Sequence, residues 1–182
     1  MKVVCISGKA QHGKDTAAQY IKEMLEAKPK ADGMENSVLI THYGDLVKYV
    51  CKTFFDWNGK KDDAGRELLQ TIGTDIVRGE DPDYWATFIG DMLSFFEQAW
   101  DYVLIADCRF PNEIEHLVKR GFDVTHMRIV RDGFISDMPE WQREHISETA
   151  LDEYIPDIYV HNSGYLAEFY ESLLIAIDEL RL

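Results

Sequence analysis

The chain has 182 residues, of which 46% are apolar and 29% charged, and its formal net charge is −14 at pH 7. This composition is typical of a globular domain that is large enough to bury a core. The acidic balance argues against a general nucleic-acid-binding protein, which usually presents a basic surface. It still allows a locally positive pocket that binds a nucleotide.

Two features of the sequence predict the cellular compartment of the protein. Cys5, Cys51 and Cys108 show neither paired spacing nor a zinc motif, so a reducing compartment is expected. No apolar run approaches the ~18 residues that a membrane span needs, and the apolar N-terminal run is too short for a secretory signal. We therefore expect a cytoplasmic protein.

In chain order, short apolar runs alternate with segments whose apolar residues recur at helical spacing. The runs predict strands at 2–7, 38–41, 102–106, 122–130 and 158–160. The helical spacing predicts helices at 16–25, 45–55, 66–77, 82–100, 111–119 and 166–180. This alternation indicates an α/β fold, a five-stranded, mainly parallel sheet flanked by helices.

Four residues are expected to mark helix ends. The carboxylate of Asp45 can accept unpaired backbone N–H groups and so cap the helix that follows it. Pro82 and Pro111 suit the first turn of a helix, where a missing N–H costs nothing. Gly121 suits the position just past a helix end.

The segment GKAQHGKDT, from Gly8 to Thr16, lies between the first predicted strand and the first predicted helix. It fits the phosphate-binding pattern G-x-x-x-x-G-K through Lys14, in the context that this pattern requires. Gly8 and Gly13 allow a close approach of the backbone, so that N–H groups such as that of Ala10 face the phosphates. Lys14 adds positive charge at the β- and γ-phosphates. The loop is predicted to bind a nucleoside triphosphate.

Carboxylates and an arginine extend this site. Asp15 stands where Ser or Thr normally helps to hold magnesium, and it could act on the metal directly or through water. Asp107 follows a buried strand, where a second metal-organising carboxylate is expected, although it could instead cap the helix at Pro111. Arg109 suits a second phosphorylated substrate, with a surface ion pair as the alternative.

The segment 131–146 is irregular and contains Arg131 and Arg143. An arginine-bearing loop can close over the γ-phosphate, stabilise its charge and exclude water. A solvated loop with charged residues would show the same sequence pattern. We predict a lid at about 131–146.

Four stretches together resemble the phage-type deoxynucleoside monophosphate kinases, which belong to the adenylate-kinase-like group of P-loop kinases. They are 8–16, 66–75 with Tyr84-Trp85, 107–113, and 145–148 with 157–164. The resemblance implies one P-loop kinase domain over 1–182, with a helical acceptor-binding region at about 45–100. It also implies ATP and Mg²⁺ as cofactors and a small-molecule nucleoside monophosphate as the acceptor, with no nucleic-acid polymer or membrane as partner, in a monomer or homodimer.

The resemblance also implies residue roles. The ATP phosphates and magnesium would be held by Gly13, Lys14, Asp15 and Thr16, with Asp107 organising the metal side and with Asn162 and Gly164 near the adenine. The acceptor would be bound by Arg66, Gln70, Asp75, Trp85 and Arg109. The catalytic charges would be those of Lys14, Arg109, Arg131 and Arg143.

Two alternatives remain at this point. A kinase on the same scaffold could phosphorylate another acceptor, such as phosphomevalonate or dephospho-coenzyme A. A non-catalytic nucleotide-binding sensor is the other, favoured by the departure at Asp15 and by the acidic Asp45 near the predicted acceptor site.

Overall fold

The computed structural model describes residues 1–31 and 33–182. In this part of the chain the strands form one sheet of order β2-β3-β1-β4-β5, in which every pairing is parallel. The strands are β1 (Lys2–Ser7), β2 (Val38–Thr41), β3 (Tyr102–Cys108), β4 (Asp123–Val130) and β5 (Ile158–His161). The α/β prediction is confirmed, and the sheet is fully parallel in its described part.

Helices cover both faces of the sheet. They are α1 (Lys14–Ala27), α2 (Gly44–Phe54), α3 (Asp63–Gln70), α4 (Val77–Glu80), α5 (Tyr84–Phe95), α6 (Pro111–Lys119), α7 (Glu140–Arg143), α8 (Ile146–Thr149) and α9 (Leu166–Glu179). A π-helical turn at Thr71–Ile76 joins α3 to α4. Because parallel strands all end at the same edge, the loops that follow them are brought together there.

Each face of the sheet has its own apolar core. On one face α1 and α9 pack against the central strands through side chains that include Ile21, Leu25 and Phe169. On the other face α2, α5 and α6 pack through residues that include Trp85 and Leu117. These buried faces explain the helical spacing in the sequence.

Several predicted boundaries differ from the structure. The helix expected at 82–100 is α5, which begins after Pro82 and ends at Phe95. Phe95 and Phe96 are exposed, so no buried face sustains further turns before the chain enters β3. The helix expected at 66–77 changes to π geometry at Thr71. Pro111 at the start of α6 is confirmed, and Gly121 follows the end of this helix with a positive φ of 88°.

The predicted cap at Asp45 is wrong. Asp45 lies within the first turn of α2, and no side chain of its own segment caps that helix. The N–H groups of Tyr43 and Gly44 instead donate to the carboxylate of Asp107, at 2.7 and 2.9 Å. A carboxylate from the neighbouring strand thus replaces the local cap.

Two further expectations concern the whole chain. In the described part, no helix is both long and apolar enough to cross a membrane. Cys5, Cys51 and Cys108 are all buried free thiols.

Candidate active site

A cavity of about 420 Å³ opens at the carboxyl edge of the sheet, within the size range of small-molecule sites. Although the whole chain is acidic, basic side chains outnumber acidic ones among the described residues that line it. The basic residues are Lys14, Lys48, Lys61, Arg66, Arg78 and Arg109, and the acidic ones are Asp15, Asp107, Glu113 and Glu148. The cavity is therefore locally positive, as binding of a phosphorylated ligand requires.

The phosphate loop depends on its two glycines. Gly8 has a φ of 147°, and a Cβ atom placed there would lie 2.5 Å from the carbonyl oxygen of Ile129. Gly13 has a φ of 101°, and its Cβ would lie 2.9 Å from Nδ2 of Asn162. Both the backbone conformation and the space exclude a side chain. This is the geometry expected of a loop that presents its N–H groups to phosphates.

Lys14 crosses the loop. Its Nζ donates to the carbonyl oxygens of Gly8 and Lys9 at 2.7 and 2.9 Å, and the residue lines the cavity. Burial, aided by the positive charge of Arg109, lowers the pKa of Lys14 to about 8. An anion in the cavity would restore the preference for the charged form.

Asp15, which stands where the phosphate-binding pattern usually has Ser or Thr, contacts a histidine in the folded protein. Oδ1 of Asp15 lies 3.0 Å from Nε2 of His42, and Nδ1 of His42 lies 3.2 Å from Oδ2 of Asp45. The hydrogen bond with His42 lowers the pKa of Asp15 and raises that of His42. Asp15 is thus held ionised at the start of α1, at the rim of the cavity.

Asp107 caps a helix, but not the one considered from the sequence. Its two oxygens accept the N–H groups at the start of α2, as described above. The N-terminus of α6 is served instead by Glu113, whose Oε2 accepts from the backbone N–H groups of Arg109 and Phe110 at 2.7 and 3.1 Å. Burial raises the pKa of Glu113 to about 7.

Arg109 and Glu148 link the strand end to the phosphate loop. Arg109 donates to the carbonyl oxygen of Ser147 at 3.0 Å and to the carboxylate of Glu148. Oε2 of Glu148 accepts from the N–H of Ala10 at 3.1 Å. Burial disfavours ionisation of Glu148, but the charge of Arg109 outweighs it, so the pKa of Glu148 is lowered. The ion pair is therefore partly buried, since the side chain of Arg109 is 37% exposed and that of Glu148 is 6% exposed.

On the acceptor side, the structure brings four of the five predicted residues together, namely Arg109 and three residues of the helical region. Arg66, Gln70 and Trp85 line the same cavity as the phosphate loop. The indole Nε1 of Trp85 donates to the carbonyl oxygen of Gly73 at 2.8 Å. Asp75 is different, because it is exposed on the π-helical turn, with Oδ1 3.4 Å from Nε2 of His145, and is not among the lining residues.

The two arginines of the predicted lid contact residues of their own segment. The guanidinium of Arg131 lies 4.2 Å from the ring centroid of Phe134, and Arg143 donates to the carbonyl oxygens of Ser136 and Met138. Neither arginine lines the cavity. Their contact with a transferring phosphoryl group stays a prediction and requires the lid to move.

The predicted adenine-side residues lie behind the phosphate loop. Nδ2 of Asn162 donates to the carbonyl oxygen of His12 at 3.0 Å, and Oδ1 accepts from the N–H of Gly164. Asn162 therefore holds the backbone of the phosphate loop at His12. Thr16 is exposed in the first turn of α1, next to Asp15.

Sequence reasoning missed several residues of the cavity. Arg78 donates to Asn112 at 2.6 Å and to Glu113 at 3.3 Å, and its guanidinium lies 3.7 Å from the ring centroid of Phe110. Lys61 is exposed in a turn, but partial desolvation and then the charge of Lys48 lower its pKa. Other lining residues to which the sequence assigned no role include His42 and Lys48. No short sequence motif marks them.

Comparison with known proteins identifies the family. The family model described as deoxynucleotide monophosphate kinase matches residues 30–173. The chain belongs to this family. The matched range begins after the phosphate loop, so the assignment of that loop rests on its motif and geometry.

Two members of the deoxynucleotide monophosphate kinase family come from phages. The enzyme of Enterobacteria phage T4 is 33% identical over 110 residues, and that of Escherichia phage RB69 is 31% identical over 110 residues. Each match covers 59% of this chain, but 43% of the T4 protein and 42% of the RB69 protein. The matched part thus spans about two-fifths of these relatives.

Solved structures support the fold. An unliganded sugar kinase from Janibacter sp. HTCC2649 has a TM-score of 0.61 at 12% identity, covering 98% of this chain and 95% of that chain. Dephospho-CoA kinase from Campylobacter jejuni has a TM-score of 0.53 at 12% identity, covering 98% and 96%. At these identities the likeness shows a shared kinase fold and leaves the acceptor open.

Proposed function

We propose that the protein is a kinase that transfers the γ-phosphoryl group of ATP to a (deoxy)nucleoside monophosphate and so forms the diphosphate. The observation that carries this proposal is the continuity of the cavity. Ala10 and Lys14 of the phosphate loop line the same space as Arg66 and Trp85 of the acceptor helices. Membership of the deoxynucleotide monophosphate kinase family supports a nucleotide as the acceptor over phosphomevalonate or dephospho-coenzyme A.

The reaction needs positioning and charge more than acid–base catalysis. An oxygen of the acceptor phosphate forms a bond to the γ-phosphorus, and the bond from that phosphorus to the β–γ bridging oxygen breaks, which releases ADP. The acceptor phosphate is already ionised near neutral pH, so no strong base is required. Lys14 and Arg109 would stabilise the negative charge that spreads over the transferred group.

The residues present fit a magnesium ion that arrives with ATP. Within the described residues, no group of three or more His, Cys, Asp or Glu side chains could hold a metal by itself. Mg²⁺ usually keeps several waters and takes one or two carboxylates together with substrate phosphates. Asp15, exposed and held ionised, would supply one ligand. Asp107 already accepts two backbone N–H groups, so it suits contact through water. When bound, the ion neutralises charge on the β- and γ-phosphates.

We further infer that Arg131 and Arg143 reach the phosphoryl group when the lid closes, and that Asn162 and Gly164 lie near the adenine. The proposal also includes a cytoplasmic location, which three buried free thiols support, and a monomeric or homodimeric state. Asp75 would take part only if the segment around His145 moved.

The direct test measures ADP release from ATP and Mg²⁺ with each common ribo- and deoxyribonucleoside monophosphate supplied singly. We expect one or a few acceptors to raise the rate above that without acceptor. If no acceptor raised the rate although ATP bound tightly, the monophosphate kinase assignment would be overturned. Phosphomevalonate and dephospho-coenzyme A would then be tested, and stimulation by either would reassign the acceptor.

The phosphate loop is tested by Lys14→Ala. We expect turnover to fall by at least about two orders of magnitude, because a charge that stabilises the transition state is lost. The matched control is Lys22→Ala on the same helix, whose Nζ donates to the carbonyl oxygen of Val38 outside the cavity and whose loss should leave turnover near that of the wild type. Circular dichroism would verify that both variants fold. Near-normal turnover of Lys14→Ala would remove the phosphate loop from the mechanism.

A further inference from the structure

Gln70 lines the cavity and carries an amide oxygen that is unpaired within the described part of the chain. Its Oε1 atom is buried and has no hydrogen-bond partner among the described residues, although the residue lines the cavity. Buried polar atoms in native proteins are nearly always paired, because an unpaired one has given up water without replacement. A ligand that donates a hydrogen bond to Oε1, once the side-chain amide turns this atom towards the cavity, would supply the missing partner.

The same cavity offers apolar walls. Leu69, Gly73 and Trp85 are among the residues that line it. The indole N–H of Trp85 is taken by the carbonyl oxygen of Gly73, so this ring presents only apolar surface. A Cβ atom at Gly73 would lie 3.1 Å from Cγ1 of Val47, another lining residue. Closely packed apolar walls with a convergent amide suit a flat ring that has a polar edge.

The position of Gln70 in the chain supports a role in binding. It is the last residue of α3, directly before the π-helical turn, and such turns occur frequently at functional sites. Gln142 makes a useful contrast. Its Oε1 is also buried and unpaired within the described residues, but its Nε2 donates to the carbonyl oxygen of Asp63 and it does not line the cavity.

We propose that Gln70 reads the base of the acceptor nucleotide, its amide oxygen accepting a hydrogen bond from an N–H on the edge of the ring. The inference rests on the proposed function and adds a residue that sets base preference. Within this cavity, Lys14 and Arg109 would then bind phosphates, and Gln70 would bind the base.

The chemistry of the amide gives a directional test. An amide offers one acceptor oxygen and one donor nitrogen, whereas a carboxylate offers two acceptors. Gln70→Glu should therefore favour a base with two adjacent donors, as guanine has at N1 and N2, over bases with a donor beside an acceptor. Gln70→Leu removes both hydrogen-bonding groups, and sites that lose such a group lose discrimination between substrates.

The experiment measures kcat/KM of the wild type, Gln70→Leu, Gln70→Glu and Gln142→Leu for dAMP, dCMP, dGMP and dTMP at saturating ATP. We expect Gln70→Leu to lower kcat/KM for the best acceptor at least about tenfold, as loss of a buried hydrogen bond predicts, and to reduce the differences between bases. We expect Gln70→Glu to raise the ratio for dGMP over the other acceptors at least about tenfold. Gln142→Leu should leave every ratio unchanged, and the KM for ATP should stay constant throughout.

A second readout separates base reading from a structural role. Because Gln70→Leu removes a buried unpaired acceptor, the variant without ligands should melt at the wild-type temperature or above it, while the rise in melting temperature caused by the best acceptor becomes smaller. A lower melting temperature with unchanged acceptor ratios would overturn the inference alone. A wild type that phosphorylates none of the nucleotides would overturn the proposed function and this inference together.

Discussion

Lys14 has two properties that make nucleotide binding depend on pH. Its ammonium lies on the phosphate loop, and burial beside Arg109 lowers its pKa to about 8. A bound triphosphate favours the protonated lysine, so binding above that pH must take up a proton. We predict that the Kd for ATP is nearly constant around pH 7 and rises above pH 8, approaching about tenfold per pH unit. Titration calorimetry from about pH 7 to about pH 9.5 would measure this.

The control for this pH dependence of ATP binding is Lys14→Arg. A guanidinium remains charged throughout that pH range, so the variant should bind ATP with an affinity that does not fall above pH 8, whatever its absolute value. The same steep rise in Kd for both proteins would show that another group titrates.

Individual residues differed in how well the sequence predicted them. Gly8, Gly13 and Lys14 act within one loop, so their spacing alone predicts both their conformation and their chemistry. Glu148 and Ala10 meet although they are 138 residues apart, and His42 and Asp15 are 27 residues apart. Such contacts depend on which strand ends lie side by side, and no local sequence pattern encodes this arrangement of strands.

At the scale of elements, α9 supports the phosphate loop from behind. Phe169 is 1% exposed, and its ring lies 3.3 Å from where a Cβ of Gly13 would be. We predict that Phe169→Ala lowers the free energy of unfolding by about 3–5 kcal/mol, from lost apolar burial and the cavity that remains. Urea titration at neutral pH would measure this.

Leu174 on the same helix is the matched control, because its side chain is 43% exposed. Leu174→Ala should cost less than about 1 kcal/mol, since little apolar surface leaves the core. Equal losses for the two variants would show that α9 does not derive its stability from the face that packs behind the loop.

Elements with one buried face were predicted well, because the periodicity of their apolar residues records that face. The strands were placed within one or two residues, as were α6 and α9. The π-helical turn was not predicted, since its two apolar residues, Ile72 and Ile76, recur at ordinary helical spacing. The start of α2 was misassigned for a related reason, because its cap comes from Asp107 on another strand.

At the scale of the whole molecule, the alternation of strands and helices was enough to predict the fold class, and membership of the kinase family agrees with it. The cavity was only partly predicted. Its phosphate end follows from a motif, whereas the basic residues Lys48, Lys61 and Arg78 converge only after the helices pack on the sheet. A chain of net charge −14 thus concentrates positive charge at one edge.

The sheet also contains a buried histidine that links stability to pH. His126 on β4 is 2% exposed, and its Nε2 lies 2.7 Å from Oγ of Ser7 on β1. Burial lowers its pKa to about 4, whereas an unfolded histidine has a pKa of about 6.5. Below pH 6.5 the unfolded chain therefore binds the proton more readily, and stability is lost as the pH falls towards 4.

We predict that His126 accounts for a loss of about 2 kcal/mol in the free energy of unfolding between pH 7 and pH 5. Urea titrations of the wild type and His126→Gln at both pH values isolate this amount, because other groups titrate alike in the two proteins. Among them is His42, whose raised pKa acts in the opposite direction. The variant should be less stable than the wild type at pH 7, with a smaller deficit or a reversal at pH 5. A deficit that is the same at both pH values would mean that His126 is not held neutral in the folded protein.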